Sequence, residues 1–154
     1  MESALIGIHA GAGELGAVAF LWVFVELLKP SVRRVLRAKV AALVGVLAFF
    51  ASWLVGGYYY VLYYGAEVKP VIKAGPVAWA HEIVTETKEH VFLFIPFLAL
   101  LTLGLIYRHE EELKAGNQVR AILILSCAVA LFAFGIAAMG YLISSGFRQT
   151  IMSQ

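Results

Sequence analysis

The sequence predicts an all-α integral membrane protein built as a bundle of four transmembrane helices. Of the 154 residues, 62% are hydrophobic and 14% are charged, whereas soluble domains carry about 25% charged residues. The mean hydropathy is +0.86. The apolar residues fall into four stretches, and each provides the roughly 20 residues needed to cross a bilayer. Because these stretches and their short connections occupy almost the whole chain, we expect a single domain.

Charged or proline-containing segments delimit the predicted spans. The first span ends at Lys29 and Pro30, and a basic linker separates it from the second. The third helix is expected to start at Pro76, since proline is favoured in the first turn of a helix, so its first part would lie outside the membrane. The fourth span contains no charged residue. The predicted spans cover residues 4–28, 40–64, 77–107 and 121–143.

Basic residues that flank the spans predict the orientation. On one side the flanking segments contain eight Lys or Arg residues, and on the other side they contain four. Cytoplasmic loops carry the excess of basic residues, so the first side is expected to be cytoplasmic in a bacterial inner membrane. Both termini and residues 65–79 would then lie on the outer side. The eight are Lys29, Arg33, Arg34, Arg37, Lys39, Arg108, Lys114 and Arg120; the four are Lys69, Lys73, Lys88 and Arg148.

Composition excludes several classes of function. The net charge of +2 and the lack of a basic run interleaved with exposed aromatics argue against nucleic-acid binding, which depends on clustered Lys and Arg that neutralise phosphates. The single Cys127 excludes an intramolecular disulfide and any paired-cysteine metal or redox motif. No nucleophile–base pattern or phosphate-binding loop occurs, so any reaction is expected to be electron transfer rather than hydrolysis or group transfer.

Five tyrosines crowd the outer end of the second span, between residues 58 and 64. Tyrosine is enriched at membrane–water interfaces, so an interfacial aromatic belt is the simpler interpretation. The five positions surround the whole helix, however, and some of them must face the bundle. In the alternative interpretation Tyr59, Tyr60 and Tyr63, together with Trp79 of the third helix, line a cofactor or quinone pocket.

Ionisable residues within the spans are the main candidates for function, because placing them in a bilayer is costly. The first span contains His9 and Glu14. The third helix carries four such residues at spacings of four, three and one, which share one face in α-helical geometry. Such a face would bind a cation, relay protons or face water beside the membrane. The four residues are Glu82, Glu86, Glu89 and His90.

Two histidines at similar depth suggest a haem site. His9 and His90 both lie toward the outer leaflet, and glycines around His9 would leave room for a flat macrocycle. In its four-span layout the chain resembles the small four-helix b-type membrane cytochromes, which hold haem between histidines on different spans. This resemblance implies one haem b near the outer face, with His9 and His90 as axial ligands and His81 as a substitute ligand. A single haem cannot carry an electron across the membrane alone.

The same residues allow a non-haem metal site. His9, Glu14, Glu86, Glu89 and His90 form a mixed nitrogen and oxygen ligand set, which suits a transition metal ion. Four-helix bundles that hold two metal ions use Glu and Glu-x-x-His ligands. This chain instead has the order Glu-x-x-Glu-His, so it departs from that pattern.

Three functions therefore remain open from the sequence. The first is a small membrane redox protein or respiratory-complex subunit, in which Glu14, Glu86 or Glu89 release protons and quinone or other subunits are the partners. The second is a non-haem metal-binding membrane protein. The third is a non-enzymatic accessory or scaffold subunit, with a homo-oligomer as one form, or a protein that transports protons or solutes.

Overall fold

The computed structural model describes residues 2–152, and within them every regular element is helical. Seven α-helices, numbered α1 to α7 in chain order, are joined at two places by π-helical segments, Tyr60–Val68 and Ala80–Thr85. The α-helices are α1 (Glu2–Leu27), α2 (Val32–Tyr59), α3 (Lys69–Ala74), α4 (Glu86–Phe92), α5 (Ile95–Arg108), α6 (Glu110–Lys114) and α7 (Arg120–Met152).

Four continuous helical stretches are long and apolar enough to cross a membrane. The predicted all-α protein with four candidate spans is therefore confirmed. Many large apolar side chains point away from the bundle, among them Leu47, Leu54 and Leu131, which are 62%, 65% and 67% exposed. Lipid is the environment that suits such a surface. The four stretches are Ser3–Leu27, Val32–Ala74, Ala80–Arg108 and Arg120–Met152, called spans one to four below.

The connection between spans two and three is shorter than the sequence predicted. Span two continues past Tyr64 as a π-helical segment and then as α3, so only residues 75–79 separate it from span three. Pro70 does not end the helix because it lies in the first turn of α3, where a missing backbone N–H costs no hydrogen bond. Span three begins at Ala80 rather than at Pro76, which lies in a turn.

The spans form a closed circuit in which one packs on two, two on three, three on four, and four on one. Spans one and three therefore lie diagonally across the core. Reciprocal glycine–phenylalanine contacts bring α1 and α2 together: a Cβ on Gly16 would lie 2.5 Å from the ring of Phe49, and one on Gly45 would lie 2.6 Å from the ring of Phe20. Glycine at both places lets the helix backbones approach closely.

A carboxylate joins α1 to α2 at the linker end of the bundle, the end that holds residues 28–31 and 109–119. Glu26 is 6% exposed. Its oxygens accept hydrogen bonds from Trp22 Nε1 at 2.9 Å, Arg34 Nε at 2.9 Å and Arg37 Nε at 2.8 Å. Arg37 also donates from Nη2 to Glu26 Oε2 at 3.0 Å. This bidentate contact, together with the single hydrogen bond from Arg34, fixes the relative register of the two helices.

A second ion-pair network attaches α6 to the bundle at this end. The Glu110 carboxylate accepts hydrogen bonds from Lys39 Nζ at 2.8 Å and lies 2.9 Å from Lys114 Nζ. The hydrogen bond from Lys39, followed by that from Lys114, lowers the pKa of Glu110 below its ordinary value. Lys39 also lies over the Tyr107 ring, 4.0 Å from its centre. These contacts hold the linker between spans three and four against span two.

Replacing Glu26 with Gln should destabilise the bundle, because the amide cannot accept from both arginines and carries no charge to pair with them. The expected loss is about 2 kcal/mol of unfolding free energy, the scale of a hydrogen bond to a charged group. Thermal unfolding in detergent measures it. The Arg33→Gln variant is the matched control, since Arg33 is exposed and neighbours the network. Equal melting temperatures for the two variants would contradict this role.

Candidate functional site

Polar side chains meet in the half of the bundle that holds the two termini and both π-helical segments, called the terminal half below. The segments Tyr60–Val68 and Ala80–Thr85 pack on each other around the buried Tyr64, Ile72 and Ala80. A π-helical turn holds more residues than an α-helical one and redirects the side chains that follow it, and such turns are frequent at functional sites. Here they turn a tyrosine and a histidine toward each other.

A buried hydrogen-bonded chain connects the two segments. Tyr64, His81 and Thr85 are 5%, 2% and 4% exposed. The Tyr64 hydroxyl lies 2.9 Å from His81 Nδ1 and 3.0 Å from Thr85 Oγ1, and Thr85 donates to the carbonyl of Ala80 at 3.0 Å. A hydroxyl group has one proton to donate, and Thr85 donates it to the Ala80 carbonyl. The Tyr64 hydroxyl must therefore donate to Thr85, and His81 Nδ1–H must donate to Tyr64.

This order of donors fixes the chemistry of the histidine. With the proton on Nδ1, the Nε2 atom of His81 is the free acceptor. It lies 3.9 Å from Oε1 of Glu86, a carboxylate whose side chain is 52% exposed. His81 is therefore a buried base whose open nitrogen faces an acid at the protein surface.

A second acid lies deeper on the same helix. Glu89 is half-buried, about 14 Å along span three from Ala80, and its Oε1 atom is buried without a hydrogen-bond partner. The Tyr60 hydroxyl faces the Glu89 carboxylate. The ring of Tyr60 stacks on that of Tyr64 with a centroid separation of 5.2 Å. Ring stacking therefore places Tyr60, and with it Glu89, beside the His81 chain.

His9 is held between spans one and two. Its Nδ1 atom lies 2.9 Å from the Ser52 carbonyl and 3.0 Å from the Ser52 hydroxyl, which donates to the His9 carbonyl at 2.8 Å. Because the Ser52 hydroxyl donates its proton to the His9 carbonyl, His9 Nδ1–H is the donor to Ser52. The Nε2 atom of His9 is then the unprotonated nitrogen. The edge of the ring meets Phe92, with centroids 5.9 Å apart.

The structure does not bring His9 and His90 together. Phe92 and Lys88, which are one turn apart, are the residues of α4 that approach His9, and His90 lies half a turn away from both. His90 is exposed, and its Nδ1 atom bonds to the carbonyl of Glu86 at 2.7 Å. The amine of Lys88 also lies close to Gly140 of α7, where an added Cβ would be 3.4 Å from Nζ.

The predicted acidic face of the third helix is the outward face. Glu82 and Trp79 are exposed, as are Glu86 and His90, while His81 and Thr85 face the core. Glu14 is exposed on α1, away from the other acids. Tyr59 and Tyr63 are half-buried and stack on each other at 6.0 Å. Of the predicted site residues, the structure assembles His81, Glu86, Glu89 and Tyr60 around Tyr64.

Among residues 2–152, no three His, Cys, Asp or Glu side chains converge on a point that would hold a metal ion. A pocket of about 210 Å³ lies beside α6, and an apolar groove of about 400 Å³ lies between Phe24 and Leu131. Neither is lined by His9, His81 or His90, and the haem between His9 and His90 stays a prediction.

Several residues of the cluster escaped the sequence analysis. Ser52, Tyr64, Thr85 and Lys88 were not among the predicted site residues. Ser52 could have been found as an isolated hydroxyl within an apolar span. Lys88 could have been found as a basic residue within the third predicted span. Nothing in the sequence distinguishes Tyr64 and Thr85 from their neighbours. They point toward His81 only because the helices around them are π-helical, which changes the direction of their side chains.

Comparisons with protein families, with curated proteins and with solved structures gave no significant match. The site is therefore interpreted from its own geometry.

Replacing Gly56 with Ala should displace His9, since the new Cβ would lie 2.4 Å from Nδ1. Loss of the Ser52 hydrogen bonds should cost about 1–3 kcal/mol and shift the imidazole ¹⁵N resonances of His9. The Gly57→Ala variant is the control, because a Cβ there meets nothing within 4 Å. A His9 resonance that moves equally in both variants would show that Gly56 does not define this site.

Proposed function

We propose that the protein is a proton-handling subunit of a membrane redox complex. The observation that carries the proposal is the buried chain of His81, Tyr64 and Thr85, with the free Nε2 of His81 facing Glu86. Ionisable residues that line the interior of membrane bundles commonly mark proton relays. In this relay Glu86 exchanges protons with the aqueous phase, and His81 accepts them at Nε2.

The relay continues when His81 passes its Nδ1 proton to the Tyr64 hydroxyl, which in turn gives up its own proton toward the neighbouring Tyr60 hydroxyl. Tyr60 then passes a proton to the Glu89 carboxylate that it faces. The partnerless Oε1 atom of Glu89 is a strong acceptor in a region of low dielectric constant, where a buried acceptor without a partner is costly. A proton that reaches it relieves this cost. Tyr60 faces the carboxylate, and the nearby Lys88 amine interacts electrostatically with it. Glu89 therefore serves as a proton store about 14 Å along span three from Ala80.

The polar path stops at this depth. Toward the linker end, the core consists of apolar side chains such as Phe20, Val23 and Ile106. The buried hydroxyls there, Thr102 and Ser126, bond to carbonyls of their own helices. A half path carries protons to an acceptor or donor within the membrane rather than across it. A lipid-soluble quinol, which gives up protons when it is oxidised, fits this requirement.

The proposed orientation places both termini outside a bacterial inner membrane. It is supported by the Arg33, Arg34 and Arg37 cluster at the linker end, because basic residues accumulate on the cytoplasmic side. Protons would then be released to the outer phase. A C-terminal epitope tag should be removed by protease added to spheroplasts, whereas a tag inserted at Asn117 should be protected. The reverse pattern would refute this orientation.

A pH step applied to the terminal side of oriented proteoliposomes should give a transient capacitive current on a solid-supported membrane. Protons enter the half path and stop, so no steady current should follow. The Tyr64→Phe and Glu89→Gln variants should reduce the transient to background, because one breaks the donor chain and the other removes the proton store. The Glu112→Gln variant is the matched control and should keep the transient, because Glu112 is an exposed acid at the linker end.

Two results of this experiment would refute the relay. A sustained current would show conduction through the whole bundle. An unchanged transient in both Tyr64→Phe and Glu89→Gln would show that the charge movement lies elsewhere. Circular dichroism and melting temperature establish that each variant is folded before its current is compared.

Haem binding is a second candidate, favoured by one feature of the histidines. In His9 and in His90 a backbone carbonyl holds Nδ1, which leaves Nε2 as the nitrogen for iron, and such second-shell hydrogen bonds are usual for metal-ligating histidines. Because His9 and His90 do not face each other, each histidine would hold haem without the other.

The visible spectrum of the purified protein decides this candidate. Haem-supplemented protein should show a Soret band that shifts on reduction and that weakens in His9→Ala or His90→Ala. The His109→Ala variant, changed at the opposite end of the bundle, should keep the spectrum. A featureless spectrum from folded protein would exclude haem and leave the proton relay unaffected.

A further inference from the structure

Glu14 is an acidic side chain on the lipid-facing surface near the middle of span one. It lies about 17 Å along the helix from Ser3 and about 20 Å from Leu27 at the α-helical rise. The residue is exposed, and within residues 2–152 its carboxyl group has no hydrogen-bond or ion-pair partner. A carboxyl group facing hydrocarbon at this depth is costly, so the surface around it requires a cover.

Glu14 belongs to a continuous exposed face of α1. The exposed surface of α1 is broad, and one line of residues within it follows alternating spacings of four and three, the pattern of a helix seam that packs on another helix. At Gly7 and Gly11 an added Cβ would meet nothing within 4 Å, so the backbone is open there. The line consists of Gly7, Gly11, Glu14, Val18, Leu21 and Val25, and the exposed Leu28 follows directly after the helix.

This face is separate from the one that builds the bundle. The buried residues of α1, including Ala17, Phe20 and Val23, are directed to α2 and α7. The helix α1 therefore presents two different seams. The first is covered by α2 and α7 of the same chain, and the second is exposed. The second seam has small residues in the terminal half, an acid at mid-depth and aliphatic residues toward the linker end.

We propose that the second seam binds the same seam of a second copy, forming a symmetric dimer through α1. In a two-fold contact each residue meets its equivalent or a near neighbour, and this face is complementary to itself. Glycines oppose glycines and allow close approach, and aliphatic side chains oppose aliphatic ones. The two Glu14 carboxyls meet, and one of them, protonated, donates a hydrogen bond to the other.

Self-complementarity is the reason for choosing a second copy over another subunit. A carboxyl group can act as both donor and acceptor once it carries a proton, so two identical groups satisfy each other without a cation. A different subunit would need a basic or amide side chain at the matching depth. The dimer leaves the His81 cluster uncovered, since that cluster lies between spans two, three and four.

Site-directed cross-linking in membranes tests the contact. In a Cys127→Ala background, Leu21→Cys should form a covalent dimer with a short bis-maleimide reagent. Leu47→Cys is the control, because Leu47 is 62% exposed on a different helix, α2, and should remain monomeric. A dimer of equal yield from both positions would mean random collision and would overturn the proposal. A cross-link from Leu21→Cys to a different protein in native membranes would also overturn it.

Substitution within the seam tests the part played by the carboxyl. Glu14→Leu should weaken dimerisation in lipid by about tenfold, the scale of an interhelical hydrogen bond in a membrane, whereas Glu14→Gln should retain it because the amide also donates and accepts. Gly11→Leu should abolish the dimer, and Gly104→Leu, at another open glycine, should not.

Single-molecule photobleaching in liposomes measures these dimer fractions. Because Glu14 and Gly11 face lipid rather than the core, the variants should keep the wild-type melting temperature of the monomer. Monomers at all lipid dilutions, or a dimer that Glu14→Leu leaves unchanged, would refute the proposed seam.

Discussion

The absence of water inside the bilayer is the constraint on which this structure depends. Helices satisfy their own backbone groups, but a polar side chain within a span must find its partner inside the protein. Glu26 pairs with Arg34 and Arg37, and His9 pairs with Ser52. Each of these contacts joins α1 to α2, so the few polar groups fix the register of helices whose apolar surfaces alone would allow sliding.

The same constraint explains the contrast between the two halves of the bundle. Toward the linker end the core is filled with apolar side chains. The buried hydroxyls of Thr102 and Ser126 donate hydrogen bonds to backbone carbonyls of their own helices. In the terminal half, two π-helical segments direct Tyr64 and His81 toward each other. A polar interior that occupies only one half of the membrane suits exchange of protons with a partner in the bilayer.

The α-helical spacing and the structure group the side chains of the third helix differently. The α-helical spacing grouped Glu82, Glu86 and Glu89 with His90, and most of this face points outward. His81 and Lys88, which that spacing set aside, point into the bundle. The π-helical turn at Ala80–Thr85 changes the phase between residues 81 and 86, and no periodicity rule based on 3.6 residues per turn can anticipate this change.

The sequence by itself determined that the chain is all-helical, that it has four candidate membrane spans, and that its unusual ionisable residues are concentrated in spans one and three. These conclusions follow from hydropathy and length, which act locally along the chain. Tertiary structure decided which of those residues meet. Span three reaches His9 through Phe92, whereas His90 lies half a turn away on α4 and is exposed. The junction of the π-helical segments creates the Tyr64–His81 contact. Both outcomes depend on how neighbouring helices pack rather than on spacing within one helix.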